Sequence, residues 1–403
     1  MSMDALVSVP WGKASGAGGT DPDRSTNSEV VDEGGVVWDG NTPGGELLNA
    51  GQSEAVRAAL THPLVSIWGP PGTGKTQTIV EILLGLQQKF PAERILVTAP
   101  THNAVDNVMR RYLSMRGKEG PTALRVSTEL RSTVQPVTAA LAYDVSLFER
   151  LYTSGGGRGG VRTCMLNTQY RMHPVISEFS SREFYGGELR TGISAQGRPL
   201  AASAFPWPET KTQGSKDVTR TILIECAGRE DLGQKSKRNR GQAELCRRVC
   251  QLLLDAPPSS STAGSADKKP NKQSIAVLTP YAAQMTLLKS TALAGLDGNI
   301  EVSSIDGFQG READIVILVT VRCNERGEIG FLRDLRRMNV ALTRARAGLI
   351  VLGNRATLTS GAAKALESES EENAAGMLWK RLLESLTRVE VDEAAEMKRE
   401  RLG

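Results

Sequence analysis

Long apolar runs are missing from this 403-residue chain. None approaches the ~20 residues of a membrane-crossing helix, and the N-terminus carries no apolar signal-peptide core. The expectation is a soluble intracellular protein, cytoplasmic or nuclear, with no membrane partner. Paired cysteines are missing too. Cys164, Cys226, Cys246, Cys250 and Cys323 are odd in number and scattered, with no C-x-x-C pair, which argues against a disulfide framework or a zinc module. Cys246 and Cys250 sit four apart on an expected helix without further ligands nearby, and read as small buried hydrophobes. Aromatic residues are few, at 4%, and charge is nearly balanced, with a net +4. That balance is compatible with a polyanionic partner without pointing to one. What remains is an ordinary globular composition, 39% apolar, in a chain long enough for two or three domains.

The most informative stretch present is GPPGTGKT, Gly69 to Thr76. A short apolar run, Leu64 to Trp68, precedes it, and an amphipathic stretch at 77–86 follows. Strand, glycine-rich loop and helix in that order are the context in which G-x-x-x-x-G-K-[ST] binds phosphate. Gly69, Gly72 and Gly74, with Thr73 between the last two, let backbone N–H groups turn inward around an anion. The helix N-terminus adds partial positive charge. In this arrangement Lys75 reaches the β- and γ-phosphates and the Thr76 hydroxyl ligates Mg²⁺. The bland alternative, an ordinary glycine-rich turn, does not account for the flanks.

Along the chain, residues 1–44 are rich in Gly, Ser, Asp and Thr without a sustained period, and disorder is expected. Asp32-Glu33 lies there with no convincing strand before it and reads as solvated loop. A helix is expected from Leu47 to about Leu60. Gln52 within it offers an amide donor and acceptor suited to an adenine edge, or is simply helix surface. Residues 94–99 read as a second buried strand, followed by a polar stretch at 100–107 and a helix to about Met115. Polar residues at the C-terminal end of a parallel strand sit where α/β sheets bind ligands. Residues 145–152 read as a helix and 155–160 as a flexible joint. A second block opens at Thr163, with a helix through Phe184. Expected strands at 221–225, 274–279, 302–305, 314–321 and 349–353 then alternate with helices at 242–254, 282–291 and the basic 336–346. A closing helix follows at 377–386. This alternation implies parallel sheets. The expected class is α/β with two parallel-sheet domains at 45–157 and 158–358. The second carries a mobile insertion at 256–273, and a C-terminal helix and charged tail occupy 359–403.

GPPGTGKT, the QYRMHP of 169–174, the DGFQGRE of 306–312 and the NVALTRARAG of 339–348 occur in that order. Together they resemble the motifs of superfamily 1B helicases of the regulator-of-nonsense-transcripts type, over about 47–353. The resemblance implies tandem RecA-like domains that use ATP and Mg²⁺ to move on or unwind single-stranded RNA or DNA. It also implies roles. Gln52 matches the adenine-reading glutamine, and Gly69, Gly72, Thr73, Gly74, Lys75 and Thr76 match the phosphate and Mg²⁺ loop. Tyr170 resembles an aromatic that packs on the base. Arg171 resembles an arginine finger reaching the γ-phosphate from the second domain, Glu312 a nucleotide contact, and Arg344 a second finger. A guanidinium suits this task because phosphoryl transfer spreads negative charge over the equatorial oxygens. Read in isolation, Arg171 and Arg344 are surface salt bridges and Tyr170 is core packing. Candidate nucleic-acid contacts are Thr101 and Asn103 on the first domain, and Thr279 and Gln309 on the second. Such grooves track the phosphate backbone with little sequence preference. The basic run 235–240 either joins them or is a solvated face.

The chain departs from the family between the 100–107 block and QYRMHP. Members carry there an apolar strand ending in Asp-Glu, which holds Mg²⁺ and activates water, and a Gly-Asp…Gln segment that senses the γ-phosphate. This interval contains Glu129 and Asp144, but no buried strand ends in an acidic pair, and the spacing is short. The simplest reading is a deletion whose junction lies within 127–142, leaving the first RecA-like domain incomplete. Asp392-Glu393 is no substitute: it follows no buried strand, lies in a charge-dense tail and stands in the wrong chain order. Loss of a general base costs roughly 10²- to 10⁴-fold in rate. ATP binding survives on the loop amides and Lys75, whereas efficient hydrolysis does not. Two hypotheses stay open: a helicase whose sequence lacks a segment, or a remnant that binds nucleotide and nucleic acid without turnover. Sequencing the transcript across the codons for 127–142 separates them. A longer message encoding an Asp-Glu strand restores the enzyme, and a message matching this sequence supports the remnant.

Overall fold

The computed structural model describes residues 5–8, 48–99, 102–116, 123, 162–209, 218–233, 236–255, 273–296, 299–364 and 371–391. The 127–142 interval, the expected helix at 145–152, the glycine run at 155–160, Asp32-Glu33, Asp392-Glu393 and nearly all of the 256–273 insertion lie outside the described residues. Two units separate between Thr168 and Gln169, later than the sequence-based boundary at 157.

The first unit contains β1 (Ala5–Ser8), α1 (Ala50–Thr61), β2 (Leu64–Trp68), α2 (Lys75–Lys89), α3 (His102–Met115) and β3 (Arg162–Met165). Its sheet has the order β1-β2-β3. β3 pairs parallel with β2, Ile67 opposite Cys164, and β1 pairs antiparallel with the other edge of β2. Two expectations are corrected. A strand forms within the N-terminal segment expected to be disordered, and β3, expected to open the second block, belongs to the phosphate-loop sheet. Neither pairing is signalled by local pattern, because the partners lie far apart in sequence. α1 starts at a capping box in which Asn49 and Gln52 satisfy each other's backbone N–H. Ala55, Val56 and Ala59 on its inner face close over Val65, Ile67 and Cys164. α2 sends Val80 and Leu84 the other way, against Val108 and Tyr112 of α3.

A third expectation fails more instructively. Residues 94–99 form no strand, and Leu96 is 89% exposed. An apolar run becomes a buried strand only where neighbouring strands accept its hydrogen bonds. Among the described residues none does.

The second unit runs β4 (Thr168–Gln169), α4 (Pro174–Phe184), β5 (Arg190–Thr191), β6 (Thr221–Glu225), β7 (Asp231–Leu232), β8 (Lys237–Arg238), α5 (Arg240–Leu254), β9 (Ile275–Thr279), α6 (Ala282–Leu287), β10 (Ile300–Ser304), β11 (Ala313–Val319), α7 (Leu335–Leu342), β12 (Ala345–Gly353), α8 (Arg355–Leu358), α9 (Ser360–Lys364), α10 (Glu371–Ser385) and β13 (Thr387–Arg388). The main sheet has the order β10-β9-β11-β12-β6-β13, and every neighbouring pair is parallel. This is the expected α/β parallel-sheet domain, with a sixth strand, β13, beyond the expected last one. Its central strands are nearly continuous apolar runs, as sheets covered on both faces require. Ile315, Ile317, Val277 and Ile350 pack with Cys246, Val249 and Cys250 of α5. Both cysteines are fully buried hydrophobes, as expected. The neighbouring Cys250 and burial hold the Cys246 thiol protonated. The basic helix expected through Arg346 stops at Leu342. The Thr343 hydroxyl folds back to the Asn339 carbonyl at 2.6 Å, and β12 starts at Ala345.

Ile317→Ala is expected to cost about 2–5 kcal/mol of stability, and Leu96→Ala less than ~0.5 kcal/mol. Urea unfolding followed by tryptophan fluorescence measures both. A core-sized loss at Leu96 would show that 94–99 is buried in solution.

Candidate nucleotide-binding site

β2 delivers the chain into the glycine loop, and α2 carries it away. Gly72 and Gly74 take positive φ, 81° and 79°, a region closed to most side chains. At Gly74 a Cβ would also meet Gln52 Nε2 at 2.4 Å. Gly74 caps α2 without a side-chain hydrogen bond, so the first turn keeps its N–H groups for an anion. Lys75 Nζ donates to the carbonyls of Gly69 and, at 3.0 Å, Pro70, which folds the ammonium against the loop. Thr73 points inward: its hydroxyl donates to the Pro70 carbonyl at 2.7 Å. The glycine cradle, helix terminus and lysine fit a phosphate group. For Mg²⁺ the described residues bring no cluster of carboxylates, histidines or cysteines, which leaves Thr76 as the candidate ligand among them.

Gln52 is placed differently from either sequence reading. It is buried, its Oε1 accepts from the Asn49 backbone at 3.0 Å, and its Nε2 donates to the Thr73 carbonyl at 3.0 Å. The residue braces the phosphate loop from below. Of the first-unit nucleic-acid candidates, Thr101 lies outside the described residues. Asn103 falls in the first turn of α3, with its side chain outside them as well.

The second unit gathers Arg171, Glu312 and Arg344. Arg171 Nε donates to Glu312 at 2.6 Å, and its Nη1 donates to the Thr343 carbonyl at 3.0 Å. Buried Gln169 holds the turn: its Oε1 accepts from the backbones of Arg171 and Met172 at 2.9 and 2.7 Å. Tyr170 is 38% exposed, so its ring is not core. Arg344 is 6% exposed and donates to the Val340 carbonyl at 2.9 Å and the Arg311 carbonyl at 3.2 Å. Burial, and then the charge of Arg171, push its pKa down to about 9, so it remains a cation at neutral pH. Neither arginine is an exposed surface salt bridge.

Arg346 joins them, 3.8 Å from Glu312 and 3.6 Å from Asp314. Sequence reasoning missed it. The signal was the i, i+2 spacing of Arg344 and Arg346 ahead of an apolar run. Between Ala345 and Gly348, β12 spends one more residue than β11 does, a bulge of the kind that re-aims side chains.

Glu312 and Arg344 precede β11 and β12, whereas Thr279 ends β9, at the opposite, C-terminal end of the same parallel strands. Thr279 is fully buried there, and Gln309 is half-buried in the β10–β11 connection. The basic run is largely neutralised locally: Lys237 pairs with Glu230, and Arg238 and Arg240 pair with Asp231.

Comparison with known proteins bears on the same residues. Two family models, each described as an AAA domain, match residues 52–228 and 143–356. The second match begins immediately past the 127–142 interval. The regulator of nonsense transcripts 1 homolog of Drosophila melanogaster is 38% identical over 217 residues, covering 52% of this chain and 16% of its own length. The ATP-dependent helicase NAM7 of Saccharomyces cerevisiae is 29% identical over 428 residues, covering 76% of this chain and 42% of its own. This chain belongs to the superfamily 1B helicases of the regulator-of-nonsense-transcripts type. It spans less than half the length of either relative. The NAM7 alignment runs over 428 positions, more than the 403 residues of the whole chain, yet draws on 76% of it. That relative therefore carries positions with no counterpart here.

If Gln52 acts by bracing the loop, Gln52→Ala weakens ATP and GTP binding by the same factor. A base-reading role predicts loss for ATP with GTP unchanged. Competition against a fluorescent nucleotide distinguishes the two.

Proposed function

We propose that this chain is an ATP-dependent nucleic-acid helicase or translocase that acts on single-stranded RNA or DNA. The observation that carries the reading is the pairing of a complete phosphate loop in one unit with a surplus of guanidinium charge around Glu312 in the other. Lys75 and the first turn of α2 hold the phosphates. Arg171 and Arg344 answer the negative charge that develops on the γ-phosphate, a role worth several orders of magnitude in related chemistry. Tyr170 and its exposed ring serve the base. Mg²⁺, when bound with the nucleotide, supplies charge neutralisation at the phosphates, with Thr76 as its protein ligand. The relatives' description as ATP-dependent helicases favours the enzyme over a non-hydrolysing remnant.

Turnover in this chain is expected to be slow, because among the described residues no Asp-Glu strand supplies a base for water. The deficit relative to a member that has the pair is roughly 10²- to 10⁴-fold. Phosphate release by the purified chain, with and without single-stranded RNA and DNA, tests the activity. Equilibrium binding of ATP to wild type and Lys75→Ala tests the site. ATP binding lost in Lys75→Ala, with weak strand-stimulated turnover, is the expected result. Binding indifferent to Lys75→Ala would overturn the reading.

A further inference from the structure

One guanidinium near the arginine cluster has no part in any of the motifs. Arg198 follows the short 3₁₀ turn Ala195–Gly197. Its Nε donates to the Arg171 carbonyl and its Nη2 to the Tyr170 carbonyl, both at 2.7 Å. Its Nη1 donates to the Gly197 carbonyl at 3.0 Å. The Arg198 carbonyl in turn accepts from Arg220 Nη1 at 2.7 Å, and that same nitrogen lies 3.4 Å from the Ala347 carbonyl in the β12 bulge. Arg220 itself is 6% exposed.

We infer that Arg198 is a positioning residue for Tyr170 and Arg171: it clamps their two consecutive carbonyls and ties that short turn, through Arg220, to the bulge of β12. The inference rests on the reading of Arg171 as a γ-phosphate contact. Gln169 already holds the N–H side of this backbone through Arg171 and Met172. Arg198 holds the carbonyl side, so the peptide between Tyr170 and Arg171 cannot rotate without breaking a charge-assisted hydrogen bond. Fixing that peptide fixes the direction in which both side chains leave the chain, and an effective transition-state contact depends on such placement.

The fork reaches the Arg171, Tyr170 and Gly197 carbonyls from three separate nitrogens held in one plane; a lysine ammonium would have to serve them from a single atom. All three Arg198 nitrogens are engaged with carbonyls, two of them those of Tyr170 and Arg171. Its charge still counts in the cluster. After burial, Arg346 is the next influence lowering its pKa, with Glu312 and Asp314 opposing.

The test compares ATP and ADP affinities of the full chain, by competition against a fluorescent nucleotide, for wild type, Arg171→Ala, Arg198→Ala and Arg198→Lys, with melting temperatures alongside. If the clamp aims Arg171, then Arg171→Ala and Arg198→Ala each lower ATP affinity about tenfold while ADP affinity stays within about twofold. Arg198→Lys then recovers only part of the difference, because a single ammonium replaces three nitrogens fixed in one plane. A residue that merely anchors its loop lowers ATP and ADP affinity together with the melting temperature, and that outcome overturns the inference. If Arg171→Ala collapses the ATP-to-ADP ratio while neither Arg198 variant moves it, the clamp falls and the finger stands. If Arg171→Ala itself leaves the ratio unchanged, both fall. Should Arg198→Ala fail to fold, Arg198→Lys decides: a native ratio at a native melting temperature overturns the clamp.

Discussion

Parallel pairing of β11 with β12 decides where this protein keeps its charge. Ala313 lies opposite Ala345, so the residues just before them, Glu312 and Arg344, emerge side by side at the same end of the sheet. The bulge that follows brings Arg346 to the same carboxylates. The His173 backbone N–H donates to the Arg346 carbonyl at 2.8 Å, which ties the QYRMHP turn, and Arg171 with it, to β12. With Arg198, which senses Arg346, Glu312 and Asp314, four guanidiniums therefore gather about two carboxylates, Glu312 and Asp314. Taking a cation out of water is costly unless it is paired, and here positive charge is in excess beside a nearly buried Arg344. An anionic phosphate would offset that cost.

The first unit shows the opposite situation. Its phosphate loop is well braced: α1 supplies Gln52 under Thr73, and left-handed glycines give the backbone its turn. The sheet behind the loop is narrow, with β2 flanked by β3 and by an N-terminal strand. Ile95, Leu96 and Val97, apolar enough for a central strand, stand exposed. Each apolar side chain of that size gains about 1.5–3 kcal/mol on burial, so the exposed run forgoes a sizeable part of a domain's marginal stability. This agrees with a family alignment longer than the chain itself. Among the described residues no strand pairs with that run, and composition alone does not supply a partner.

Much of the second unit was legible from pattern alone. Thr221–Glu225 matched residue for residue, and the strands at Ile275–Thr279 and Ala313–Val319 lay within two residues of expectation, because strands buried on both faces are written as unbroken apolar runs. Arg336 to Arg346 misled: Ala345 and Arg346 have the composition of a helix but are drawn into β12 by the strand that follows them. In the site, Arg171, Glu312 and Arg344 were legible because their motifs are contiguous. Gln169, Arg198 and Arg346 were not, because their roles come from contacts with backbone carbonyls, N–H groups and carboxylates that no spacing rule encodes. Gln52 was found beside the phosphate loop, and its contacts there are to the backbone of Asn49 and Thr73. An amide beside a phosphate loop can face a base or a backbone, and only the packing of α1 on the loop chooses.

By itself the sequence determined the chemistry available to this protein: a glycine loop suited to wrap an anion, arginines in two separate motifs, and an α/β alternation. Those are properties of residue types at fixed short spacing, and they hold before the chain folds. Tertiary structure alone decided that Glu312 and Arg344, 32 residues apart in the numbering, share one end of the sheet; that β3 pairs with the phosphate-loop strand; and that residues 94–99 join no strand among the described residues. Hydrogen-bonded strand order is a long-range choice, made by whichever edges are present to be paired, and no local pattern records it.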